Sequence, residues 1–490
     1  MKKSLRVVSL MLAVLMAAQF TACANSTEET TAPTAENIQS AETAGVEIEE
    51  TVDPMLQDDL PEANFDGYNF RILSCEFVGR ELASFLMSDE MNGDAVNDTL
   101  FNNTLEVEDR FNVDISYFSV TDVGAVQNTV KTSVNGGTDD FDIQCGHDIN
   151  TANLAKQGMF YNLYDIEQFN FDKPWWPKNI VSQLDVAGKL FLGSTYLTFN
   201  GLHWTRVLIA NKDRFEEIQI EIPYEDINNG TWYFDDMYTL CESASRDLDG
   251  DGKIGGKDLY GFALGNGVTY CLQDNFNMIF HEETEEGLVV NPDQERIDTI
   301  IEGVRKLLKN ENITYLGSGG DEFCIDIFLD NRCVIGTTMI GTAYDSFRDA
   351  ESRYTILPFP KYDELQEEYI NTCTDAFWAI PITASEHLEV IGTVIEALSC
   401  INYQRVLPIY YETAIKTKLS DSPDDAAMFD IIKDSRTIGF EYAYQMTFAN
   451  IIDTLVIRSN TAFSTYYARQ KKLAQKNADK FYEEMKKLHD

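Results

Sequence analysis

Positive charge is scarce in this chain. Its 490 residues hold 38 Lys and Arg against 81 Asp and Glu, a formal net charge of −43. A surface so anionic repels nucleic acid and anionic lipid, so neither is expected as a partner held by charge. The nine cysteines include no CxxC pair, which excludes a zinc ribbon or a thioredoxin-type site at the level of motif. Eight of them follow Cys23, mostly in apolar segments such as "FDIQCG" and "NRCVIG", and are expected to be free and buried. Motifs for chemistry are missing as well. "HEETE" at His281 lacks the second histidine of HExxH, "GSGGD" lacks the lysine of a phosphate loop, and no G-x-S-x-G elbow occurs. After Cys23 no run of 18 apolar residues appears, so no later segment has the pattern of a membrane-spanning helix.

What is present begins with Lys2, Lys3 and Arg6, a cationic head in front of the apolar "VVSLMLAVLMAAQF". Residues 1–22 therefore have the pattern of a secretory signal. The run ends in "FTAC", which resembles the lipobox of bacterial lipoproteins. That resemblance implies lipidation at Cys23 and a chain anchored to the extracellular face of the bacterial cytoplasmic membrane, touching the membrane through the lipid alone. Residues 23–63 are rich in Thr, Glu, Ala, Pro and Asp and hold no Lys or Arg. Such a segment cannot bury enough apolar surface to offset its ordering entropy, so a disordered acidic stalk is expected there. The remainder, about 430 residues, is long enough for two or more domains. Hydrophobic content of 44% with 12% aromatics supplies their cores.

Periodicity predicts an α/β body. "YNFRILS" reads as a strand. "DAVNDTLFNNTLEVEDRFNVDISYF" reads as a helix, with Val96, Leu100, Leu105 and Phe111 inward, and then a second strand; together these make a βαβ unit. "DDFDIQCGHD" is a short apolar strand opening into polar residues, the position where ligands of open α/β sheets collect. "PDQERIDTIIEGVRKLLKN" is amphipathic, with Ile297, Ile300, Ile301, Val304 and Leu308 on one face. From Glu386 on, the chain reads as largely helical.

Several landmarks, in order, resemble one family. "FDIQCGHD", "KPWWPKNI", "GKLFLGS", "VLIANKDRFEE", "GTWYFDDMYTL" running into "RDLDGDGKIGGKDLYGF", and "LPFPKYDELQEEY" look like the extracellular solute-binding proteins of bacterial ABC importers, of the carbohydrate type that includes maltose-binding protein. The resemblance runs over most of residues 66–415. It implies a two-lobe periplasmic-binding-protein-like fold of type II, α/β in class, with lobes joined by hinge crossings. A monomer would close on a solute, a sugar or oligosaccharide, and hand it unchanged to an ABC permease. Lobe one would comprise 66–198 plus 322–374, and lobe two 199–321 plus 375–490. Crossings would fall near "TFNGLHWTRV", "GSGGDEF" and "NTCTDAF".

Within the second lobe, "DLDGDGKIGGKD" has calcium-loop spacing. Asp247, Asp249 and Asp251 stand at positions 1, 3 and 5, Gly252 at the turn, Lys253 offers its carbonyl at 7, and Asp258 closes at 12. Carboxylates this close repel unless a cation joins them, so a structural Ca²⁺ is expected. Asp258 is shorter than the usual Glu. No second loop accompanies it, so it would pin a turn and not act as a sensor.

A sugar needs flat aromatic platforms and polar groups that fix its orientation. Trp204, with His203 and Asn200, stands at an implied crossing; Trp378 stands at the last one; Trp175 and Trp176 lie in a proline-flanked loop. Trp232, beside a helix start, reads as structural. Asp148 with His147, and Tyr344 with Asp345, follow strand ends and complete the expected site. The rival class is a secreted, calcium-stabilised glycosidase or lyase, because aromatic platforms and Ca²⁺ suit those enzymes too. Its two carboxylates could lie anywhere among the 81 acids, though no catalytic residue is assigned.

Overall fold

The computed structural model describes residues 53–77, 79–320, 322–347, 350–374, 376–411 and 422–488. The expected signal segment, Cys23 and the expected stalk up to residue 52 lie outside these. Fourteen strands follow one another: β1 (Tyr68–Phe77), β2 (Arg80–Glu81), β3 (Val113–Val120), β4 (Ile143–His147), β5 (Arg206–Asn211), β6 (Tyr260–Gly265), β7 (His281–Thr284), β8 (Gly287–Val290), β9 (Thr314–Gly317), β10 (Cys333–Met339), β11 (Tyr354–Leu357), β12 (Asn371–Thr372), β13 (Ala376–Ala379) and β14 (Arg436–Thr437).

Ten of them form two five-stranded sheets, while β12 with β14 and β7 with β8 form two-stranded ones. The first has the order β13-β4-β1-β2, with β3 also paired to β1. Its β3, β1 and β4 are parallel, and β13 is antiparallel to β4. The second has the order β11-β5-β10-β6-β9; β10, β6 and β9 are parallel, while β5 opposes both of its neighbours. Residues Phe70, Ile72, Leu73 and Cys75 of β1 are all buried, as both faces of a helix-covered sheet require. The seven cysteines whose side chains are described are buried and outside any disulfide; that of Cys324 lies outside the description.

The helix Ala95–Phe111 shows how local chemistry sets an element's ends. Asp94 accepts the backbone N–H groups of Val96 and Asn97 at its start, and Asn112 closes it in the left-handed region. Its buried face is Leu100, Asn103, Thr104, Val107 and Phe111, with Val96 and Leu105 only half-buried. The stripe is rotated from the expected one because the helix also packs on the long helix Leu388–Tyr410. There Asn103 donates to Asn402 Oδ1 at 2.9 Å inside the contact.

Strand pairing divides the chain differently from the expected lobe boundaries. β10 and β11, placed by expectation in lobe one, pair with β5 in the second sheet, and β13, placed in lobe two, pairs with β4 in the first. "GSGGDEF" is therefore no crossing: β9 before it and β10 after it share one sheet. The long helix Leu388–Tyr410 packs on Ala95–Phe111 in the first lobe, and the chain then returns to the helix Pro423–Asp434, which packs on β11 in the second. The reason is geometric. A short apolar strand is compatible with either sheet, and only hydrogen-bond register distinguishes them.

The stalk boundary also moves. Residues from Asp53 are docked on the body. Lys173 donates to the carbonyl of Pro54 at 2.8 Å and pairs with Asp59 at 2.6 Å, Arg110 pairs with Asp58, and Gln404 donates to the carbonyl of Leu56 at 2.8 Å. Two of the chain's few cations, Lys173 and Arg110, hold the acids Asp59 and Asp58 of this segment against the body.

Candidate functional site

The C-terminal ends of the parallel strands in the two sheets face a common junction. β1 ends there at Phe77 and β4 at His147, with Ala376 of β13 opposite His147. From the other sheet, β10 ends at Met339 beside Arg206, where β5 begins. Trp204, on the connection between the sheets, packs edge-on to Phe77 and Phe85, with centroids 5.7 and 5.2 Å away. Phe77 in turn meets His147 at 4.8 Å.

Charged and polar groups cluster beside this aromatic contact. His147 Nδ1 lies 2.9 Å from Asp148 Oδ1. Burial works against the imidazolium, but the adjacent Asp148 carboxylate holds His147 above its usual range. Asp148 also acts electrostatically on Tyr270 and Tyr442. Those two rings stack at 4.0 Å and 10°, and Arg206 donates to the Tyr270 hydroxyl at 3.3 Å. Burial keeps both phenols raised and protonated. At the outer edge, Arg80 of β2 pairs with Asp345 at 2.5 Å, each side chain being about two-fifths exposed. This ion pair spans from the first sheet to the helix Ile340–Ser346 that follows β10. The junction thus offers an aromatic stack, a carboxylate and a guanidinium, the donor and acceptor set that orients hydroxyl-bearing molecules.

The structure distributes the expected site residues unevenly. Asp148, His147, Trp204 and Asp345 lie in the junction, and Trp204 is 7% exposed. Tyr344 is half-buried with its ring 6.4 Å from that of Tyr410. His203 is packed away: its Nδ1 meets the Tyr410 hydroxyl at 3.0 Å, and burial, with the Arg80 charge second, pushes its pKa down to about 3. A Cβ on Gly341 would sit 2.1 Å from its Nε2, so glycine is required there. Asn200 is a tie between connections, accepting from Thr198 and Gly201 and donating to the Ala376 carbonyl.

Three tryptophans correct the expectation, because they present no open face. Trp175 and Trp176 are core residues whose indole N–H groups both donate to Glu396, at 2.9 and 3.0 Å. Trp378 is fully buried against Gly193 and donates to Thr195 Oγ1 at 3.3 Å. Sequence reasoning missed Phe77, Arg80, Arg206, Tyr270 and Tyr442. The "WTRV" segment held a clue to Arg206, two residues past Trp204, whereas nothing local marks Tyr442.

In the acidic loop, ligand oxygens of Asp247, Asp249 and Asp258 lie within 4.8 Å of one another, the only such group among the described residues. Asp258, at the loop base, accepts the backbone N–H groups of Leu248 and Gly255. Asp251 stands outside the group and caps Lys253 N at 2.9 Å. Gly250 and Gly252 take the positive φ the turn needs. Three hard oxygen donors converging without a cationic side chain among them fit Ca²⁺.

No family model matches this sequence, and no curated protein does. Solved structures match over nearly the whole body. UgpB from Mycobacterium tuberculosis in complex with glycerophosphocholine aligns with a TM-score of 0.55 at 11% identity, covering 84% of this chain and 98% of that one. A sugar transporter from Rhizobium etli, in an open conformation, gives 0.54 at 13%, covering 86% and 98%. An ABC transporter solute-binding protein from Thermotoga lettingae bound with α-D-tagatose gives 0.51 at 12%, covering 85% and 100%. At such identities the likeness is one of fold, and the fold of this chain is the α/β two-lobe architecture of those solute-binding proteins.

Proposed function

We propose that this protein captures a neutral, hydroxyl-rich solute, a sugar or oligosaccharide, between its two lobes and delivers it intact to an ABC permease. The observation that carries the reading is the junction of opposed strand ends, where the Tyr270–Tyr442 stack, Asp148 and Arg206 meet beneath the Arg80–Asp345 ion pair. Solute contacts made by both lobes favour the closed form, and that differential affinity shifts the population toward it. Two fold neighbours, a sugar transporter and a solute-binding protein bound with α-D-tagatose, support the carbohydrate class. The reading includes lipid attachment at Cys23, a location on the extracellular face of the membrane, and a structural Ca²⁺ on Asp247, Asp249 and Asp258 with the Lys253 carbonyl.

Thermal-shift and calorimetric titration of the mature chain with mono- and oligosaccharides tests it. A bound sugar raises the midpoint by mass action and is recovered unchanged. Tyr270→Leu and Tyr442→Leu each abolish the sugar-induced shift. A panel without any shift, or shortened oligosaccharides in the recovered sample, overturns the proposal, the latter in favour of an enzyme. Intact-mass measurement after membrane extraction reads the lipid on Cys23.

A further inference from the structure

A cavity of about 940 Å³ has none of Trp204, Asp148, Arg206, Tyr270 and Tyr442 in its lining. Its walls come from the helix Lys178–Leu184 of the first lobe, the segment 274–283, and the C-terminal part of Pro423–Asp434 with residues 437–441 of the second. The charged lining is acidic, including Asp185, Asp274, Glu283 and Glu441. His281 is the one basic group, and no lysine or arginine is among the described lining residues. Two lysines stand behind the wall: Lys433 pairs with Asp430 and Asp434, at 3.5 and 3.4 Å, and Lys361 lies over the ring of the lining Tyr369, 5.6 Å from its centroid.

Two buried atoms of lining residues have no partner. His281 is 3% exposed at its side chain and is hydrogen-bonded through Nδ1 to Glu441, while its Nε2 is buried and unpaired. A carboxylate only accepts, so Nδ1 carries a proton toward Glu441, and Nε2 is left as the unpartnered atom of the ring. Asp274 Oδ2 is likewise buried and unpaired, beneath Gly439, where a Cβ would lie 2.1 Å from it. Unpaired buried polar atoms are costly, and each calls for an explanation.

We propose that this cavity is a binding site for a small aliphatic amine carrying one or two ammonium groups. The site is rich in acceptors and negative field and poor in cations. An ammonium has three donors and no acceptor and gains directly from that field; a neutral polyol gains nothing from it. A bare divalent ion is disfavoured, because Asp274, His281 and Glu441 do not bring three ligand atoms together as the Asp247 loop does. Apolar side chains on the wall, Met278, Ile438, Phe440 and the 59% exposed Ile279, suit a methylene chain between charges. Burial, then the charge of Glu441, raises the Asp274 pKa to about 8, and a bound cation relieves both costs.

Calorimetric titration of the mature chain with 1,4-diaminobutane in near-physiological salt tests the proposal, with butane-1,4-diol and Mg²⁺ as controls. The diamine binds saturably at one per chain and the diol at least tenfold more weakly. Asp274→Asn and Glu441→Gln each weaken the diamine about tenfold, and the exposed rim variant Glu283→Gln weakens it about threefold. Equal binding of the diol, undiminished binding in all three variants, or displacement by equimolar Mg²⁺ overturns it. Tyr270→Leu leaves diamine binding intact; its loss there would move the amine into the strand-end junction and also overturn the assignment. Failure of every sugar to bind would sink the carbohydrate reading without touching this one.

Discussion

Two buried carboxyls invite comparison. Glu396, inside the first lobe, is raised to about 7 by burial, although the indole N–H groups of Trp176 and Trp175 favour its charge. Asp274, on the wall of the acidic cavity, is raised to about 8 by burial and then by the neighbouring Glu441. The direction is the same and the surroundings are opposite. Glu396 has donors on both oxygens and fastens a proline-flanked loop to a long helix, so its perturbation belongs to the architecture. Asp274 lines the acidic cavity and keeps one oxygen unpaired beneath Gly439, so its perturbation is not relieved within the fold. A shifted carboxyl thus points to function only after its hydrogen bonds are counted.

The comparison can be broken most sharply at Glu396. Glu396→Ala strands two buried indole N–H groups at about 1–3 kcal/mol each, so its chemical-denaturation midpoint falls by the equivalent of about 4 kcal/mol. Asp274→Asn is no less stable than the parent at neutral pH, because it removes a carboxyl that burial disfavours; a large loss there would place Asp274 with Glu396 as structural glue. The pH profile sharpens the same contrast. Each carboxyl has a folded pKa above its ordinary value, 4.5 for Glu396 and 3.8 for Asp274, so the folded state holds more protons than the unfolded chain between the two values. Their contribution is therefore most favourable below that window and falls as pH rises through it. Glu396→Gln flattens the melting temperature profile up to about pH 7, and Asp274→Asn flattens it up to about pH 8.

Removal of calcium comes next in size. Chelation with EGTA lowers the melting temperature by a few degrees, roughly what 1–2 kcal/mol of linkage gives a chain this long, and Asp247→Asn makes the protein indifferent to the chelator. An unchanged parent melt would leave the loop a solvated turn. The smallest effect is expected at Arg80 and Asp345. A double-mutant cycle of the two to Ala gives a coupling of at most about 1 kcal/mol, because the pair is part-exposed and screened by salt. Small-angle scattering of either variant should nonetheless show a larger radius of gyration, since the pair joins elements of opposite lobes.

Several features were legible in the residues themselves. The βα pattern around Tyr68–Val120, the buried face of Gln294–Leu308 and the turn at Gly252 all follow from periodicity and local backbone chemistry, which act over a few residues. Asp148 was marked by standing at a strand end, and Trp204 by its place on an implied crossing. The loop tryptophans misled, since an indole beside prolines reads alike whether it faces a cleft or a carboxylate 220 residues later in the chain.

By itself the sequence determined the charge, the export pattern, the acidic loop and the run of strands and helices, because each is encoded in neighbouring residues. Tertiary structure alone decided which sheet β10, β11 and β13 join, that Tyr270 meets Tyr442, and that Asp274 is left with an unpaired oxygen beside Glu441. Those are contacts between segments far apart in the chain, selected by register and by packing of the whole core, and no local pattern carries them.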